Sequence, residues 1–142
     1  MGWWQDRARK AAYARLTAQV ADREAVRAAE EVLGAAWMRQ LTQAEQEIAG
    51  EQKIFTHMRD TAYDVYRASG GTPGGENTGE TYQRLAVSQQ DLQRIRDRRS
   101  TLERFAANER ASWASAVSAR ALEAVEDQEQ LGEAERAARS RS

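Results

Sequence analysis

His57 is the only histidine of the chain, and Asp60 follows three residues later. On a helix that step puts both side chains on one face, where they could form a surface pair. Acid–base catalysis or metal binding asks for more: a second histidine, a Glu-x-x-His step, or carboxylates converging on a cleft. The chain has no Glu-x-x-His step and no cysteine. It also lacks a glycine loop followed by Lys and Ser or Thr, the pattern that cradles phosphate. The sequence therefore predicts no catalytic residue, no cofactor site, no metal site and no small-molecule substrate.

The remaining side chains with chemical potential are those that bind proteins. Trp3 and Trp4 are adjacent, so both cannot face one seam of a helix. An exposed tryptophan is a favoured anchor for a partner, and packing against the far end of the chain is the alternative. At that far end an acidic block, Glu123 to Glu135, is followed by Arg136, Arg139 and Arg141. These arginines suit the last turn of a helix and also suit a docking segment. Trp3, Trp4, Arg136, Arg139 and Arg141 are the candidate partner-binding residues. A basic run, Arg94, Arg96, Arg98, Arg99 and Arg104, is interrupted by Asp97 and Glu103. With a net charge of −1 and no interleaved aromatics, it reads as a solvated face, and the sequence argues against nucleic acid as a partner.

The elements that would carry these residues are legible from one break. Residues 69–79 hold the only proline and a cluster of glycines, and long stretches without proline flank them. Ala, Glu, Lys, Leu and Arg make up 71 of 142 residues, the bias of long helices and coiled coils. The expected fold is all-α: a single-domain antiparallel two-helix hairpin, with arm one over about 3–68, a turn at 69–79 and arm two over about 80–138. At 1.5 Å per residue the arms would reach roughly 90–100 Å. A folded-back bundle of three or four helices is the alternative. Asn77 and Glu80 have capping-box spacing.

In arm one the apolar steps give a seam of Leu41, Ala44, Ile48, Glu51, Phe55, Met58, Ala62 and Val65. Upstream, Tyr13, Leu16 and Val20 form one stripe, and Val26, Ala29, Leu33 and Trp37 form another, out of phase with the first. Gly34 and Gly50 each cost the helix roughly 1 kcal/mol relative to Ala. In arm two the same reading gives Tyr82, Leu85, Gln89, Leu92, Ile95, Arg99, Leu102 and Phe105 or Ala106. It continues through Trp113, Ala116 or Val117, Leu122 and Val125, with fraying expected at Gly132 and beyond Ser140. Trp37 and Trp113 are expected at one level of the hairpin.

Two segments carry a family likeness. Gly50-Glu51-Gln52-Lys53-Ile54-Phe55, leading toward the turn, is similar to the end of the first helix of the FliJ/YscO family. Leu102-Glu103-Arg104-Phe105-Ala106-Ala107-Asn108-Glu109-Arg110 resembles part of its second helix. Those proteins are coiled-coil stalks of type III secretion. The resemblance implies a non-enzymatic stalk that sits in a hexameric export ATPase and links it to the export gate. It also gives Trp3, Trp4 and the 123–141 segment a contact role. The alternative is a structural or assembly component of a virion or injection particle, or a helical scaffold adaptor. No apolar run approaches membrane-spanning length and no signal-peptide pattern opens the chain. The expected location is therefore cytoplasmic, or within a particle.

Overall fold

The computed structural model describes residues 2–70 and 78–140. They form two helices that pack against each other, α1 (Gly2–Ala68) and α2 (Thr78–Arg139), with no strand among the described residues. The fold is an all-α helical hairpin, not a folded-back bundle. Alanine, arginine and glutamate dominate both helices and carry high intrinsic helix propensity. Pairs one turn apart reinforce it: Glu80 with Arg84 at 2.7 Å, Arg99 with Glu103 at 2.9 Å, and Gln93 with Asp97 at 2.9 Å. Helix α1 ends at Ala68. There the Ser69 amide donates to the Val65 carbonyl, and the Gly70 amide donates to the Arg67 carbonyl. Gly70 has φ +102°, a left-handed conformation that glycine adopts without the penalty a Cβ would bring. Asn77, the expected N-cap of α2, lies outside the described residues. Helix α2 continues through Gly132 to Arg139 rather than fraying there.

The two helices together form two compact units. One comprises Met1–Trp37 with Arg110–Ser142, and the other Met38–Glu109. In the second unit the helices run antiparallel, with Gln52 accepting from Arg99 and Tyr66 beside Tyr82. Its core is Ile48, Leu92 and Ile95, with Phe55 and Leu102 packed against them. Leu41, Leu85 and Ala106 are also buried. Several seam assignments move by one residue. Gln52, Arg59 and Tyr66 turn inward where Glu51, Met58 and Val65 were expected, and Thr81 and Ser88 replace Tyr82 and Gln89. Ala106, not Phe105, is the buried member of its pair. At two of these positions a polar side chain takes the inward place of a less polar one, Arg59 for Met58 and Thr81 for Tyr82, so apolarity alone does not decide which residue faces in.

Candidate interaction surfaces

The first unit is held together differently. Its helices also run antiparallel: Arg23 and Arg27 meet Asp127, Glu24 meets Gln128, and Glu30 meets Arg120. The centre is Asp127, which is 7% exposed although it is charged. Arg23 donates from both ends of its guanidinium, Nε at 3.2 Å and Nη2 at 2.9 Å to Oδ1, while Arg27 Nη1 donates to Oδ2 at 2.8 Å. Both carboxylate oxygens are thus satisfied by charge-assisted bonds, as a buried charge requires. The Arg23 hydrogen bonds hold the Asp127 carboxyl below its usual range against the opposing pull of burial, and the Arg27 bond and both positive charges add to the effect. Reciprocally, the bond to Asp127 raises the Arg23 guanidinium above its ordinary value.

Two turns of α2 earlier, Arg120 donates to Glu30 at 3.2 Å and lies 4.8 Å above the centroid of the Trp113 ring. The Trp113 ring rests on the backbone of Gly34. A Cβ built there would stand 1.7 Å from Trp113 Cζ3 and 2.2 Å from Cη2. Gly34 is therefore the slot that admits the indole. Trp113 packs one turn before Trp37, which is 41% exposed.

This polar seam displaces the apolar stripes expected from the sequence. Val26, Leu33, Val117, Leu122 and Val125 are exposed. In their place Arg27, Gly34, Ala116, Arg120, Ala124 and Asp127 take the inward positions. Among the described residues of this unit, Val20 is the one buried hydrophobic residue. Tyr13, Leu16, Trp113 and Leu131 are half-buried, and nine large hydrophobic side chains are exposed.

Trp3 and Trp4 are among the nine. Their rings meet edge to face, 4.6 Å between centroids, and the Arg7 guanidinium lies 5.3 Å from the Trp3 ring. Both remain largely exposed, so packing within this unit does not cover them. Residue numbers paired across the unit add to 150–154, which sets Arg139 level with about residues 11–15. The turn bearing Trp3 and Trp4 continues past that level. The structure places Arg139 in an ion pair with Glu135 and sets Arg136 beside Gly132 on α2. Arg141 lies outside the described residues.

In the second unit, Asp60 pairs with Arg59 at 2.8 Å rather than with His57. His57 lines an open groove with Met58, Val65, Thr81 and Arg84. The basic run is answered locally: Arg94 pairs with Asp91, and Arg99 with Glu103 and Gln52. No group of three His, Cys, Asp or Glu side chains suited to a metal ion occurs among the described residues, and no described helix is long and apolar enough to cross a membrane.

The Asp127 cluster makes a pH prediction. Its folded carboxyl lies below the unfolded value of about 3.9. The stabilisation is therefore complete above that unfolded value and is lost as pH falls through the folded one. Asp127→Asn is expected to lower the melting temperature at neutral pH, with the gap from wild type narrowing in the acid range. Thermal unfolding followed by circular dichroism across pH checks this, and a gap independent of pH would refute it. Compared with known proteins, the chain matches no family model, no curated protein and no solved structure.

Proposed function

We propose that the chain is a non-enzymatic coiled-coil interaction protein, a component built into a larger protein assembly. One observation carries this reading: the first unit pairs its helices through arginine, glutamate and aspartate while nine large apolar side chains face outward. A helix pair that closes on itself normally does the reverse. Among the outward side chains, Val26, Val32 and Leu33 fall at helical spacing on α1, and an apolar patch of this kind marks a surface that another protein covers. A photoreactive residue placed at Trp4 or Leu33 in cells is expected to cross-link to protein, whereas one at the exposed polar position Arg15 is not. Equal silence at all three positions would overturn the reading.

The resemblance to the secretion stalks gives this reading a specific form, in which the hairpin seats in a hexameric ATPase and couples it to the export gate. Trp3, Trp4 and the arginines of the α2 end would then contact the ring. Adding the protein to such an ATPase is expected to raise ATP hydrolysis, and Trp3→Ala with Trp4→Ala to abolish the increase. Absence of both association and rate change rejects the stalk. The second form, a structural component of a particle or a scaffold adaptor, is favoured by the outward apolar surface of the first unit. It predicts defined oligomers where the stalk predicts a monomer, and sizing separates the two.

A further inference from the structure

Between Ala25 and Ala36, helix α1 carries an apolar stripe that lies off the face it turns toward α2. Ala25 and Val26, Ala29, Val32 and Leu33, then Ala36 recur at steps of three and four, the spacing of a coiled-coil seam. Val26 is 56% exposed, Val32 68% and Leu33 70%. The face turned toward α2 in this unit is another one, marked by Val20, Arg27 and Gly34. At 3.6 residues per turn the two faces lie roughly 130° apart around the helix. One helix thus bears two seams, and one of them is filled.

We propose that the second seam is filled by the same segment of a second copy of this chain, running antiparallel. The proposal rests on the interaction reading above and names the partner. The stripe is complementary to itself. Residues whose numbers add to 62 oppose each other about a two-fold axis at Glu31, and this puts Val26 against Ala36 and Ala29 against Leu33. At each of these levels an alanine of one copy meets a large side chain of the other, the alternation that lets facing helices interdigitate. Self-complementarity of this kind is what an isologous two-fold interface requires. Glu31 itself points to the opposite side of the helix, so no like charges meet at the axis. Three helical turns of small and medium apolar side chains offer a modest area, at the low end of what a specific interface buries, of the order of 1,000 Å² in total. That area fits a concentration-dependent dimer rather than an obligate one.

The test is sedimentation equilibrium of the full chain over a wide concentration range, with Leu33→Glu as the variant. Leu33 is exposed, so the variant is expected to keep the circular dichroism spectrum and melting temperature of the dilute wild type. Wild type is expected to dimerise, and Leu33→Glu to weaken the dimer at least about a hundredfold by burying an unpaired charge. The chain has no cysteine, so register can be read directly. Mixed Ala29→Cys and Leu33→Cys chains are expected to give a disulfide-linked heterodimer on oxidation, more readily than Ala29→Cys mixed with Arg15→Cys. A wild type that stays monomeric throughout overturns the dimer yet leaves cross-linking at Trp4 and Leu33 in cells as separate support for a different partner. An oligomer untouched by Leu33→Glu, or cross-links without preference for the 29–33 pair, overturns the assignment of the surface.

Discussion

Replacing Gly34 with alanine is expected to destabilise the protein by about 1–3 kcal/mol, although the same change in an open helix would stabilise it by roughly 1 kcal/mol. The reversal follows from one contact. The new Cβ would occupy the place of the Trp113 ring edge, 1.7 Å from Cζ3. The indole must then swing away, and in moving it gives up the Arg120 guanidinium that lies over it. A double-mutant cycle isolates the effect. With Trp113→Ala in the background the obstacle is gone, and Gly34→Ala should then become neutral or stabilising. Urea denaturation of the four proteins reads the coupling as a difference in midpoints at constant slope. If Gly34→Ala stabilises the wild type, the slot is not needed and Trp113 is held by something else.

The glycine shows why the hairpin was legible in the sequence while its first unit was not. The proline and glycine cluster at 69–79, set between long alanine-rich stretches, was enough to predict two helices and the turn between them. The inward faces were predicted by following apolar residues, which works where the core is apolar, at Leu41, Ile48, Leu85, Leu92 and Ile95. In the first unit the same rule drifts onto Val26, Leu33, Leu122 and Val125, all exposed. A strict seven-residue step does not drift. From Leu85 and Leu92 it runs through Arg99, Ala106, Trp113 and Arg120 to Asp127, and from Leu41 it runs back through Gly34 and Arg27 to Val20. Those are the residues found facing in. A charged residue on the heptad line of one helix, Asp127, with an opposite charge on the line of the other, Arg27, is the sequence signal for this cluster. Following apolar side chains alone passes over such a pair. An ion pair with both oxygens satisfied can instead sit at the seam and fix register. The exposure of Trp3 and Trp4 was legible for a simpler reason, since adjacent residues on a helix cannot share a face.

Leu92→Ala is expected to have the larger effect on stability, a loss of about 2–5 kcal/mol. Leu92 is 1% exposed and sits with Ile48 and Ile95 at the centre of the second unit, where Phe55 and Leu102 close around them. Truncation removes buried methyl groups and leaves a cavity that the two packed helices collapse into only partly. The instructive comparison is with Leu33→Ala, the same chemical change at a residue that is 70% exposed. In dilute protein, where copies do not meet, Leu33→Ala should alter the urea midpoint by no more than about 0.5 kcal/mol equivalent. Two leucines in heptad-like sequence contexts would thus differ several-fold in what they contribute to folding. On that outcome Leu92 stabilises the hairpin and Leu33 adds nothing to the folding of the single chain. If the two substitutions cost the same in dilute solution, Leu33 is already buried within the single chain, and the division between a seam that folds the protein and a face that binds another would collapse.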